Sequence, residues 1–547
     1  MKKYAVQFFF FFCFFISFLG AGTPKKIRLV VPIVIDQGAA LLVQKVLPFM
    51  KHGMHQIHKQ GLSFEKAYYP HAFPNTAAGH AGLSTGAYPD THGIVDNKVV
   101  DEKGIMRECI DDDRPQSFMF MPDGTLYDRG ISPFYLRVDT LVDQVALNSE
   151  PRDSWKTAAF SIKSRAAVML AGHQGKAFWL DHALGNLTTS KAYFQKLPDW
   201  VIQFNEEHAL SVESSYEWKP FFPLHHEAYK KWQINNYAHS SMPSIFETVV
   251  KPAFKEKEPF DIFTKTPWGN QWILQAAAEY IEHALTDDPS NNLLVWVSLS
   301  SVDRAGHMYG PSSMELIDMM YHLDAMIEQF MKRIFEVVDE DEVLFLITAD
   351  HGIFEIPEVL NDKGFPLPRR IFSENLMKSM NNYIKKLYEI DNLVTFFDAP
   401  HFYFNVDKYE TCTEKKQKQI CRSLIRFLKK VPGIIDAWTP EELQQRMFPE
   451  SSYAYRFKRQ VYPGRNGHLM FLSEPYVMVT KYPQGTSHAT PYWYDVHVPL
   501  MLYQKGRWKG RSIAEPVSTL RVASTLAHLM GVQAPSAAEK EILPGIA

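Results

Sequence analysis

Three runs along the chain have apolar centres free of charge, and each delivers a carboxylate at its end. Residues 25–36, KKIRLVVPIVID, end in Asp36. Residues 291–303, NNLLVWVSLSSVD, end in Asp303, and residues 341–352, DEVLFLITADHG, carry Asp350 and His351. Short continuous runs rich in Val, Ile and Leu, without polar alternation, predict strands buried on both faces, the pattern of a parallel sheet. Between them the apolar spacing becomes helical, over residues 37–61 and again over 312–338. The alternation predicts an α/β fold: a doubly wound, mostly parallel sheet flanked by helices. Its ligands are expected beyond the C-terminal ends of the strands.

Two long stretches interrupt this rhythm. Residues 98–285 are rich in Trp, Tyr, Phe and Pro with weak periodicity. Residues 355–480 contain a basic helix, EKKQKQICRSLIRFLKKV, and strand-like runs such as HFYFNV. Both are expected to be cap insertions within one domain spanning residues 23–547. The basic helix reads as a solvated surface face. Residues 1–22 show two lysines, a long apolar run and small residues at its end, a secretory signal peptide by pattern. The run is nearly long enough to serve as an uncleaved anchor instead. The expectation is an exported protein, periplasmic or secreted, and a monomer, with no membrane partner unless the signal is retained.

Composition narrows the partners. With 46% apolar and 22% charged residues the chain is globular, and a net charge of −3 offers no general attraction for nucleic acid. No CxxC occurs among the four cysteines. Cys13 lies in the signal, Cys412 and Cys421 are close enough in sequence to pair in an oxidising compartment, and Cys109 is left over. A metal bound here therefore uses imidazole and carboxylate.

The chemistry-bearing residues gather at the predicted strand ends. They are Asp36, Asp303 with His307 four residues on, Asp350 with His351, and His488 in GTSHATPYWYDVHVPL. Six oxygen and nitrogen donors without a thiolate suit two zinc ions or similar divalent metals. Two such ions a few ångströms apart can clamp both oxygens of a phosphoryl transfer. In FPNTAAGHAGLSTG, Thr76 stands where turn residues give way to helix formers. It reads either as a helix cap or as a nucleophile at a helix N-terminus.

DQG after the first strand, TAAGHAGLSTGAYPDTHGIVDN, SIKSRAAVMLAG, VDRAGHMYG, TADHG, YPGRNGHLMF and SHATPYWYDVHVPL occur in one chain. Together they resemble the alkaline phosphatase superfamily, most of all its bacterial Thr-nucleophile, phosphate-irrepressible branch, from about residue 27 onward. The resemblance implies Thr76 as nucleophile. It implies one zinc held by Asp36, Thr76, Asp350 and His351, and a second by Asp303, His307 and His488. It also implies Asn97, Lys163 and Arg165 on the phosphate oxygens. Lys163 and Arg165 lie two apart in what reads as a strand, which would aim both at one face; without the resemblance they read as exposed charges. His80, His92 and His497 fall inside the motifs and read as structural. A Gly is usual after the last zinc His, where this chain has Ala489. The implied reaction is hydrolysis of small phosphate monoesters through a phospho-threonine. A phosphodiesterase or nucleotide pyrophosphatase of the same superfamily is the alternative reading. A non-catalytic binding protein on this fold is a remoter one.

Overall fold

The computed structural model describes residues 25–546 apart from 102–103, 149–154, 212–214, 233–236, 238–248 and 251–257. The expected signal peptide lies outside the described residues. Ten strands form the central sheet. They are β1 (Leu29–Ile35), β2 (Leu62–Tyr68), β3 (Trp155–Ser161), β4 (Ala177–Leu180), β5 (Leu187–Thr188), β6 (Asn292–Leu299), β7 (Val343–Thr348), β8 (His497–Tyr503), β9 (Arg511–Ile513) and β10 (Val517–Ser518). The order across the sheet is β9-β2-β8-β7-β1-β6-β3-β4-β5, with β10 also on β2. Only β8 and β5 run against the common direction. The predicted α/β, mostly parallel architecture is therefore what the chain adopts.

The central strand β1 is buried along its whole length. Its alternate side chains feed two cores: Val31, Ile33 and Ile35 face one apolar layer, and Val30 and Val34 the other. Pro32 sits mid-strand, where a missing N–H normally breaks a ladder. The register to β7 runs through it, whereas pairing to β6 skips Val31 and Pro32. The cost falls on one neighbour only.

Helices follow the strand ends. Residues 37–61 form α1 (Ala40–Val46), a short 3-10 turn and α2 (Gly53–Gln60). After β2 comes α3 (Thr76–Thr85), after β3 α4 (Ser164–Ala171), and after β6 α5 (Ser301–Tyr309), followed by α6 (Met314–Phe335). The stretch 98–285 is not wholly a cap, because β3, β4 and β5 lie within it. Its aromatic richness hid short core strands whose apolar partners are supplied by the rest of the sheet. The stretch 355–480 builds a separate four-stranded sheet with its own apolar cluster. The basic helix is there, Glu414–Leu428, with Ile420, Leu424 and Leu428 buried and its lysines outward. Cys412 and Cys421 do not pair: both are free thiols, and Cys421 Sγ lies 3.2 Å from the Tyr409 hydroxyl.

Candidate active site

The C-terminal edge of the sheet collects the expected side chains. Asp36 follows β1, Asp350 and His351 follow β7, and Lys163 follows β3. Asp303 comes from the first turn of α5, because β6 stops at Leu299 and not at the acid. Four residues on, His307 shares its helix face, with Nε2 3.1 Å from Asp303 Oδ1.

Thr76 is the first residue of α3, and the cap is its neighbour: the Asn75 side chain accepts from the Ala78 N–H at 3.1 Å. Asn97 reaches the same turn, its Oδ1 accepting from the Ala77 N–H at 2.9 Å. Thr76 is thereby relieved of the capping role, and its hydroxyl accepts instead from Lys163 Nζ at 3.2 Å. That ammonium is buried and lies 2.8 Å from Asp36 Oδ2 and 2.5 Å from Asp303 Oδ2.

Lys163 and Arg165 do not share a strand. β3 ends at Ser161, Lys163 is the residue before α4, and Arg165 is within its first turn. The alternation in FSIKSRAAV reads as strand locally, but the chain turns into a helix as it leaves the sheet. Strand alternation therefore gives no reason for the two to point together. The structure brings Lys163 to Thr76. Arg165 keeps a buried Nε without a hydrogen-bond partner among the described residues.

Sequence reasoning passed over Gln37, whose only signal was its place in the DQG motif. Its backbone turns through φ 67, its N–H donates to Asp350 Oδ1 at 3.0 Å, and its side-chain amide donates to Asp303 Oδ1 at 2.8 Å. One residue thus ties two of the three carboxylates together.

The three imidazoles share one arrangement. Nδ1 of His307 donates to the Thr486 carbonyl at 2.9 Å, that of His351 to the Gly352 carbonyl at 3.0 Å, and that of His488 to the Pro74 carbonyl at 3.3 Å. A carbonyl only accepts, so each Nδ1 carries its proton, and each Nε2 is left to face a carboxylate. This is how metal-binding histidines are oriented by backbone oxygens. The rings of His351 and His488 stack at 3.7 Å. Ligand atoms of Asp36, Asp350 and His351 converge within 4.8 Å of one another, as do those of Asp303, His351 and His488. Asp36 Oδ1 and His351 Nε2 are buried without a hydrogen-bond partner among the described residues. Divalent cations answer both the orphaned atoms and the donor chemistry, so the residues fit such a group.

Charge at this depth is unevenly tolerated. Burial, with Asp350 beside it, pushes the Asp36 carboxyl well above the usual carboxylate range. Burial acts the same way on Asp303, but Lys163 and His307 outweigh it and hold that acid well below the range. Burial also drives His488 and His351 down, toward the neutral form that ligates.

Two glycines permit the close packing. A Cβ on Gly306 would lie 1.9 Å from Gln37 Oε1, and one on Gly79 would lie 2.4 Å from the Asp350 carbonyl oxygen and 2.9 Å from its Cβ. Gly79→Ala is expected to shift Asp350, costing about 1–3 kcal/mol as overpacking does. Its melting temperature and bound divalent metal should both fall. Parent values for both would mean that α3 does not press on Asp350.

Ala489 sits at φ 83, in the left-handed region that favours Gly, at a cost of about 1–2 kcal/mol. Its methyl packs against the apolar cluster of Phe457, Met470 and Tyr492, which offsets part of the strain. His80 bonds the Thr76 carbonyl at 2.7 Å and Ser298 Oγ at 2.8 Å, with Nδ1 3.2 Å from Asp350 Oδ2. It braces the turn that carries Thr76 from behind. His92 accepts from the Ile94 N–H, and His497 bonds the Glu65 carbonyl.

A sequence profile of the type I phosphodiesterase / nucleotide pyrophosphatase family matches residues 30–497, and the chain belongs to that family. Among individual proteins it is 27% identical over 546 residues to alkaline phosphatase PafA of Elizabethkingia meningoseptica, covering 95% of each chain. It is 26% identical over 529 residues to alkaline phosphatase PhoV of Synechococcus elongatus, covering 94% of this chain and 92% of that one. The crystal structure of wild-type PafA superposes with a TM-score of 0.82 at 24% identity, over 95% of this chain and 98% of that one. The fold is alkaline-phosphatase-like, and the chain is a phosphatase of this superfamily. Relatives of this kind imply a metal cofactor. No helix among the described residues is long and apolar enough to cross a membrane.

Proposed function

We propose that this chain is an exported, zinc-dependent hydrolase of small phosphate monoesters, with Thr76 as its nucleophile. The observation that carries the reading is the buried Lys163 ammonium, in contact with the Thr76 hydroxyl, Asp36 and Asp303 at once. A monoester brings two negative charges to Thr76, and a fixed cation there favours it over a singly charged diester. Two zinc ions, one at Asp36, Thr76, Asp350 and His351 and one at Asp303, His307 and His488, would supply Lewis-acid charge for the phosphoryl group and favour ionised oxygen nucleophiles.

The chain's own residues account for the rest. Thr76 Oγ forms a bond to phosphorus as the ester P–O bond breaks, and the alcohol leaves with a proton. Water then cleaves the phospho-threonine and releases phosphate. The N-terminal end of α3 carries the positive end of the helix dipole, which favours an anion beside Thr76. Asn97 reaches the same turn through Oδ1, which leaves its amide NH2 as the donor suited to a phosphate oxygen. The unpartnered Nε of Arg165 is a donor suited to an anion.

The test is kcat/KM for one aryl monoester and one aryl diester, in the parent and in Lys163→Ala. Loss of a charge-assisted contact in a desolvated site costs about 2–4 kcal/mol, roughly thirtyfold to a thousandfold. That loss is expected on the monoester, with a smaller one on the diester. Equal losses would remove the charge argument. The second reading, a phosphodiesterase, draws on the family's own description, and a parent enzyme faster on the diester would establish it.

A further inference from the structure

Beside the candidate site opens a cavity of about 510 Å³. Three segments that carry site residues also form its walls. Lys98 follows Asn97, Arg304 and His307 come from α5, and Ser487 precedes His488. The cavity thus adjoins the segments that carry Asn97, His307 and His488.

The walls are strongly cationic. Lys98, Lys265, Arg304, Arg370 and Lys481 all line the cavity, in a chain whose net charge is −3. Their carboxylate partners are fewer. Asp261 serves both Arg304 and Lys265, Glu358 serves Arg370, and Asp398 lies 3.3 Å from Lys98. Among the described residues these five cations have four acids beside them, Glu108 standing opposite Lys98 on the neighbouring strand, and of the four only Asp398 lines the cavity itself. Arg370 is also bound to the carbonyls of Tyr482 and Gly485, which leaves it little to offer.

Lys98 and Lys481 differ from the other three. Lys98 is partly exposed and lies 5.0 Å over the Phe396 ring. Lys481 is exposed and lies 5.0 Å over the Tyr482 ring. Each is a point charge on a flexible stem beside an aromatic wall: Lys481 can turn toward an anion that enters, and Lys98 can meet one by exchanging its contact with Asp398.

We propose that this cavity is a leaving-group subsite for alcohols that carry an anionic group of their own, read by Lys98 and Lys481. The inference rests on the phosphatase reading and adds the class of monoester. A neutral alcohol leaves the excess positive charge of the walls unanswered, whereas an anionic one is drawn in and held.

The test uses the full, metal-loaded chain and a matched pair of esters, 4-carboxyphenyl phosphate and its neutral isostere 4-carbamoylphenyl phosphate. The parent is expected to favour the carboxylate about five- to tenfold in kcat/KM at low ionic strength, as two partly exposed lysines allow. The preference should shrink with added salt and fall toward unity in the double variant Lys98→Gln/Lys481→Gln. Calorimetry supplies a readout free of turnover: 4-hydroxybenzoate should bind more tightly than 4-hydroxybenzamide, and the double variant should lose the difference.

Equal kcat/KM for the two esters, with equal binding of the two phenols, would overturn the subsite and leave the phosphatase reading standing. Failure to hydrolyse either ester, with tighter binding of 4-hydroxybenzoate, would overturn the phosphatase reading and keep the anionic subsite. A preference that survives in the double variant would also overturn the subsite as drawn.

Discussion

Thr76→Ala is expected to lose at least about a thousandfold in kcat on any phosphate monoester, about 4 kcal/mol of transition-state stabilisation. The expectation follows from where the hydroxyl stands. It opens α3 and touches Lys163 Nζ, the ammonium that also lies against the carboxylates of Asp36 and Asp303. The variant should still fold, because capping belongs to Asn75 and to the Asn97 side chain. The loss in stability should be about 1 kcal/mol, that of one hydrogen bond. Thr76→Ser keeps the hydroxyl and should keep a measurable part of the rate. Trapping with a labelled monoester in acid should show phosphate on the parent chain and none on the Ala variant. Turnover by Thr76→Ala at near the parent rate would remove Thr76 from the chemistry.

Removing divalent metal is expected to have the second large effect, on activity and stability together. Asp36, Asp303 and Asp350 converge, the Lys163 ammonium contacts the first two, and Gln37 ties Asp303 to Asp350 by neutral hydrogen bonds. Stripped of other cations, carboxylates this close repel one another. A ligand bound only by the folded state stabilises it by about 2.7 kcal/mol at a hundred times its Kd. A chelator should therefore abolish hydrolysis and lower the melting temperature, and zinc should restore both. Elemental analysis should give two ions per chain. Full activity in protein with no stoichiometric divalent ion would end this account of the site.

Much of the site could be read one element at a time. The runs that became β1, β6 and β7 are apolar enough that only burial on both faces explains them, and their acids mark the sheet edge where ligands gather. The Asp303 and His307 spacing is one helical turn, a local property. The misreadings share a cause. Residues 161–165 alternate like a strand, yet β3 stops where its partner β6 stops pairing, at Ser161 opposite Ser298. Thr76 and Asn75 are both acceptable caps, and the choice between them depends on Asn97, twenty residues away. Cys412 and Cys421 are near in sequence, but Cys421 is buried beneath its helix while Cys412 lies at the rim.

What the sequence by itself determined is the α/β alternation, the two-sided burial of the central strands and the kinds of donor placed at their ends. These follow from the chemistry of short windows: apolar runs must be covered, and acids at their ends are left at the edge. What only the tertiary structure decided is convergence. The carbonyls that orient His307 and His488 come from Thr486 and Pro74, far along the chain from the rings they hold. Lys163 reaches Thr76, Asp36 and Asp303 because β1, β6 and β3 are neighbours in the sheet, with Thr76 brought to the same edge on α3 after β2. Strand order is set by which faces pack, a property of the whole sheet that no local window contains.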